Sequence, residues 1–111
     1  MISAAVCAKV ATIEPSGYVS AANAEEFKNQ LIAAVTAPEY TVLLVDMKEL
    51  DFLDSAGLMA LISGFRLAQS LDRQLALCSV PSSIRIMFEL TQLDGVFEIY
   101  ENRESFEAAM S

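Results

Sequence analysis

Val45-Asp46-Met47-Lys48-Glu49-Leu50-Asp51-Phe52-Leu53-Asp54-Ser55-Ala56-Gly57-Leu58 is the stretch on which the fold turns. Just ahead of it, Thr41-Val42-Leu43-Leu44-Val45 is a continuous apolar run, as a central strand covered on both faces requires. Asp46 closes that strand. Beyond it, Leu58, Leu61, Ile62 and Phe65 recur at helical spacing and form a buried stripe, with Arg66, Gln69 and Asp72 on the wet side. A helix should therefore open near Ser55. Gly64 inside it costs about 1 kcal/mol relative to Ala, which marks close packing or a weak spot.

Working towards the N-terminus, Ala5 to Ile13 is rich in small and β-branched apolar residues and predicts a strand. Pro15-Ser16-Gly17 supplies turn chemistry, and Tyr18-Val19 is a short extension. Asn23 is placed as an N-cap, with Glu26 completing a capping box, and Phe27, Leu31, Ala34 and Val35 share one helical face. Pro38 ends that helix. Towards the C-terminus, Leu75 to Val80 predicts a second buried strand, and Pro81 suits the first turn of a helix. That helix would bury Ile84, Met87, Phe88 and either Leu90 or Leu93. Leu93-Asp94-Gly95 is a turn, Val96 to Tyr100 a short strand, and Asn102 caps a last helix carrying Phe106, Ala109 and Met110. Strands alternating with helices predict an α/β sandwich around a mixed or parallel sheet, as a single domain over 1–111. In such sheets functional groups gather beyond the carboxyl ends of strands, which points to the loops 46–55 and 79–83.

Composition removes several classes of function. The chain of 111 residues has 15 acidic and 7 basic side chains, a net charge of −8. That balance repels phosphates and anionic lipid heads, so nucleic acid and membrane surfaces are poor partners, while a basic protein surface is compatible. No apolar run approaches the roughly 20 residues that cross a bilayer, and no basic segment precedes the apolar N-terminus, so the expected address is the cytoplasm. Histidine is absent, which removes Ser-His-Asp and Cys-His nucleophile systems and the commonest zinc ligand. Cys7 and Cys78 both sit in apolar stretches and are expected to be reduced core residues. No G-x-x-x-x-G-K-[ST] or G-x-S-x-G occurs. No enzyme, metal or cofactor is expected.

Four carboxylates, Asp46, Glu49, Asp51 and Asp54, lie within nine residues. They fit no EF-hand spacing and are expected to be a solvated acidic loop, with Phe52 and Leu53 pinning it to the core. Met47, Met59 and Met87 are placed in the core. Ser55 admits two roles. As a helix-start serine it could cap the backbone. Equally, a phosphate on it would be tolerated by the positive end of the helix, opposed by Asp51 and Asp54, and would add roughly −1.5 to −2 charge without unfolding the domain. Such a modification is suited to breaking a protein–protein contact.

Asp54-Ser55-Ala56-Gly57-Leu58 after an apolar strand ending in Asp46 resembles the signature of STAS domains, shared by bacterial anti-sigma factor antagonists and sulfate-transporter tails. The resemblance continues through Gly17 to Phe27 and through Glu89-Leu90-Thr91, Leu93-Asp94, Phe97-Glu98-Ile99-Tyr100 and Glu101 to Ala109. It implies a STAS-type sandwich: a four- to five-stranded mixed sheet with about four helices, mostly on one side. It also implies partner switching, in which the unmodified protein binds an anti-sigma factor serine kinase, is released when that kinase phosphorylates Ser55, and is reset by a phosphatase. Gly17, Ser20, Asn23, Asp54, Ser55, Ala56, Gly57 and Ser82 would then form the partner-binding surface. One departure stands out: Ser20 occupies a place near the phosphosite where family members often carry an acid. The alternative is a non-switching STAS subunit of a lipid-transport, transporter or signalling-scaffold complex, with Ser55 only a cap. Neither implication fixes an oligomeric state.

Overall fold

The computed structural model describes residues 9–110. Cys7 and the start of the first predicted strand lie outside them. Val42–Asp46 (β3) is buried at every residue, as its unbroken apolar run demands. It takes the place such a strand must take, between β1 (Val10–Ile13) and β5 (Gln74–Cys78), with β6 (Glu98–Tyr100) beyond β5. Pairings among the described residues are all parallel, which decides between the mixed and parallel sheets the sequence allows.

Parallel neighbours need crossovers, and the helices α1 (Ala24–Thr36), α2 (Ser55–Ser70) and α3 (Ser82–Leu90) supply them. Period-2 alternation divides the sheet into two faces. Leu43, Val45, Leu75 and Leu77 join Phe27, Leu31, Leu61, Ile84 and Phe88 in the larger core beneath these three helices. Val42, Leu44, Ala76 and Cys78 face the other way, under Phe106 of α4 (Arg103–Met110). Gly64 marks close packing rather than weakness: a Cβ there would sit 3.2 Å from Leu31 Cβ, where α1 crosses α2.

A second, two-stranded parallel sheet pairs β2 (Gly17–Val19) with β4 (Leu50–Leu53). The sequence led us to expect a loop from 46 to 55 and only an extension at Tyr18, and the structure corrects both. Register slips between Gly17 and Tyr18, so that Gly17 pairs with Leu50 and Tyr18 with Phe52. Asp51 is the extra residue of a β-bulge, and that bulge lets both Leu50 and Leu53 point inward. Phe52 therefore does not pin the loop; it is 47% exposed.

Other expectations are corrected by helix geometry. Leu93 packs on the core, whereas Leu90 is 80% exposed, because two residues on from Phe88 it has turned about 200° around the helix. Met59 is exposed one residue past buried Leu58, and Ala109 is exposed beside the half-buried Met110. Asn23 does sit at the N-cap of α1, but its side chain does not cap, and Glu26 closes no box. The reciprocal arrangement lies one turn earlier, where Asn23 N–H donates to Ser20 O at 3.0 Å and Ser20 N–H donates to Asn23 Oδ1 at 2.8 Å. Asn102 caps α4 as expected, its Oδ1 accepting from Ser105 N–H at 2.8 Å.

Asp46 does not belong to a solvated loop. It is 3% exposed, accepts from Lys48 N–H at 3.1 Å, and pairs with Arg103 Nη2 at 2.8 Å. Arg103 also reaches Glu14, just past β1. The hydrogen bonds of Glu14 and then of Asp46 push the guanidinium above its ordinary pKa. α4 is thus fastened by its first residue to the carboxyl ends of β1 and β3. Among the described residues no helix is long and apolar enough to cross a membrane.

Candidate functional site: the start of helix α2

Because β2 and β4 run parallel, Val19 and Leu53 are register partners and both strands end on the same side. The residues that follow them, Ser20-Ala21 and Asp54-Ser55, are therefore brought together although 33 or more positions separate them in sequence. Asp54 makes the join. Its N–H donates to Val19 O at 3.1 Å, its Oδ2 accepts from Ala21 N–H at 3.1 Å, and its Oδ1 accepts from Gly57 N–H at 3.0 Å. Asp54 is therefore the N-cap of α2, in extended conformation, and a carboxylate at this end also complements the helix dipole.

That assignment decides one of the two roles open to Ser55. It is the first helical residue, not the cap, and it is exposed. Among the described residues no hydrogen bond engages its hydroxyl. The first-turn N–H groups of a 16-residue helix lie beneath it. A phosphate there would meet a favourable dipole and an unfavourable carboxylate at Asp54, with no buried contact to disturb.

The neighbouring residues divide by exposure. Asn23 is exposed and its Nδ2 donates to Tyr18 O at 2.9 Å, holding the loop between β2 and α1 in shape. Ser20 is half-buried in that loop. Gly17 opens β2, its N–H donating to Glu49 O at 3.1 Å. Ala56 lines a shallow groove of about 170 Å³ between α1 and α2, with Ala24, Glu25, Lys28 and Met59. Gly57, expected from the sequence to face a partner, differs from these residues in its exposure. It is buried, and a Cβ there would come within 2.6 Å of Leu53 Cδ1 and 2.9 Å of Val19 O. Its place is to let α2 meet β2 and β4, which is what sets the height of Ser55. Ser82 is exposed at the start of α3, but the hydrogen bonds joining the first loop to α2 do not reach it.

Sequence reasoning missed Tyr18, which is 67% exposed with its ring centroid 5.8 Å from that of Phe52. A lone apolar pair on a predicted loop carries no periodic signal. Asp46 and Arg103 were also missed as a pair, since 57 positions separate them. Burial and then the charge of Asp46 push the Cys78 thiol up, which leaves it a poor nucleophile.

The STAS domain profile matches residues 2–106. The chain belongs to the STAS domain family. BtrV of Bordetella bronchiseptica, provisionally named an anti-sigma factor antagonist, is 32% identical over 93 residues, covering 84% of this chain and 79% of BtrV. An anti-sigma factor antagonist from Mycobacterium paratuberculosis has the same STAS fold, with a TM-score of 0.80 at 23% identity over 91% of this chain and 85% of its own. So does the anti-sigma factor antagonist SpoIIAA in its unphosphorylated form, with a TM-score of 0.75 at 16% identity over 91% and 88% of the two chains. The phosphorylated form of SpoIIAA from Bacillus gives 0.70 at 16% identity, covering 91% of both chains.

Proposed function

We propose that this STAS protein is an anti-sigma factor antagonist that works by partner switching, with Ser55 as the phosphoacceptor. In this scheme the unmodified protein binds an anti-sigma factor that is itself a serine kinase, and so frees the sigma factor. Phosphorylation of Ser55 releases the complex, and a phosphatase restores it. The protein performs no catalysis of its own and acts in the cytoplasm. Similarity to BtrV supports the reading at the level of function, and the fold neighbours are consistent with it.

The observation that carries it is the division of labour between Asp54 and Ser55. Asp54 does the capping, so the hydroxyl of Ser55 is spare, exposed and free of structural duty. A residue in that position can be modified without loss of the fold, while the added charge alters the contact surface around Ala56, Asn23 and Ser20.

The test uses wild type, Ser55→Ala and Ser55→Asp as baits in extract from the source organism. Wild type and Ser55→Ala are expected to retain a kinase that Ser55→Asp loses. That kinase, with ATP, should add one phosphate to wild type and none to Ser55→Ala by intact-mass spectrometry. Retention of the same partner by all three would identify a constitutive STAS subunit instead.

A further inference from the structure

The bulge at Asp51 turns both Leu50 and Leu53 into the core and, in doing so, sends the residue between them outward. Without it, simple alternation along β4 would carry Leu50 and Phe52 to one face together. With it, Leu53 fills the inward place and Phe52 is turned out to solvent beside Tyr18. Bulges recur next to functional sites, where they re-aim a side chain. Two aromatic rings, 67% and 47% exposed, are thus presented on the outer face of the two-stranded sheet.

The platform is rigid. Main-chain groups on both sides of Tyr18 are tied, Gly17 N–H to Glu49 O at 3.1 Å and Tyr18 O to Asn23 Nδ2 at 2.9 Å. Rings held in place before binding lose little freedom on contact, and exposed aromatics are enriched in the centres of protein interfaces. Charge in the chain leading to Phe52 is mixed, with an acidic excess. Glu49 and Asp51 are exposed in the same segment, against the single exposed cation Lys48, and Asp46 is unavailable because it is buried against Arg103. Aromatic faces rimmed by carboxylates attract guanidinium or ammonium groups that bring an apolar stem with them.

We infer that the Tyr18–Phe52 face is a docking surface for a protein partner that lays an arginine- or lysine-bearing segment across the two rings. This deepens the partner-switching reading and rests on it only for the partner's identity. Phe52 lies three residues before Ser55, and Tyr18 is its register partner, so a partner seated on the rings would lie next to the strand that leads into the phosphate-bearing helix start. The face supplies affinity, and Ser55 supplies its control.

The experiment places the photo-crosslinker p-benzoylphenylalanine at position 18, at position 52 and, as a control, at the still more exposed position 90, in cells of the source organism. Adducts from 18 and 52, but not from 90, should map by mass spectrometry to an arginine- or lysine-containing segment of one protein. Purified, that protein should bind the Tyr18→Ala/Phe52→Ala double variant about tenfold or more weakly than wild type, and Tyr18→Phe nearly as well as wild type. Its binding should weaken as salt rises. No adduct from 18 and 52, an adduct to a second copy of this chain, or an adduct to an acidic or uncharged segment would each overturn the docking face. Repeating the crosslink in Ser55→Asp separates the two ideas. An adduct that persists there keeps the docking face and removes the switch, whereas loss of the kinase by Ser55→Asp without any adduct from 18 or 52 does the reverse.

Discussion

Two aspartates stand at the ends of strands in this protein and do opposite work. Asp46 ends β3 in the interior, 3% exposed, with its Oδ2 on a guanidinium from a helix 57 positions away. Asp54 follows β4 at the surface, and both of its oxygens accept from main-chain N–H groups, Gly57 and Ala21. The first fastens one element to another through a charge pair. The second shapes a helix start and leaves the side chain of Ser55 exposed. The α4 end is thereby held through a charge on a buried carboxylate, and the exposed hydroxyl of Ser55 lies at the α2 end. A substitution at one end should disturb the fold, and one at the other should disturb a partner.

The largest effect expected is at Phe106. It is 1% exposed and packs edge-on against Tyr100, with centroids 5.4 Å apart, over the only face of the main sheet that α4 covers. Phe106→Ala removes a fully buried ring and should cost about 3–5 kcal/mol, read as a fall in urea midpoint at constant slope. A loss below about 1 kcal/mol would mean that α4 is an ornament and the comparison between the two ends is false.

Arg103→Ala comes next. It leaves the buried Asp46 carboxylate with one remaining main-chain donor, and because the guanidinium is itself 41% exposed the loss should be about 1–3 kcal/mol, the cost of an under-satisfied buried acceptor. Glu14→Ala is the matched control. Its bridge to the same guanidinium is solvent-exposed on both sides and is worth under about 1 kcal/mol. Equal losses from the two variants would show that the buried pair is not what fastens α4.

A third effect separates the ends by pH. The hydrogen bond to Glu98, then burial, then the charge of Glu98 push the Tyr100 hydroxyl from 10 up to about 12. A group whose folded pKa lies above its unfolded value contributes fully below the unfolded pKa and loses that contribution as pH rises through the folded one. Wild type should therefore lose stability between about pH 10 and 12 more steeply than Tyr100→Phe, by denaturant titration at several alkaline pH values. Parallel curves would remove Tyr100 from the account.

The same contrast explains what could be read from the chain. β3, β5, α2 and the place of Ser55 were legible because an apolar run and a 3.6-residue stripe are local signals. β4 was not, because the bulge at Asp51 breaks the alternation by which a short strand is recognised, and β2 has three residues. The capping of α1 was misplaced by one turn because Asn23 bonds backward, to Ser20 and Tyr18, where a capping box would bond forward. Asp46 was grouped with its acidic neighbours because nothing within the loop tells a buried carboxylate from a wet one. The cation that decides it arrives in α4. Exposure of Tyr18 and Phe52 is likewise a property of the pairing between β2 and β4, not of either segment alone.

The smallest stability effect belongs to the residue with the largest proposed consequence. Asp54→Ala removes the cap of α2 and its tie to Ala21 and should cost about 1 kcal/mol, whereas Ser55→Ala, which breaks no hydrogen bond, should stay within about 0.5 kcal/mol. Thermal or urea denaturation of the two single variants settles the order. If Ser55→Ala proves the more damaging, the serine hydroxyl holds the helix start after all, and the freedom that makes it a plausible switch is gone. If the order is as expected, two adjacent residues at one helix start divide the work between them. The carboxylate of Asp54 fixes where α2 begins, and the hydroxyl of Ser55 is left with no structural task that phosphorylation would have to undo.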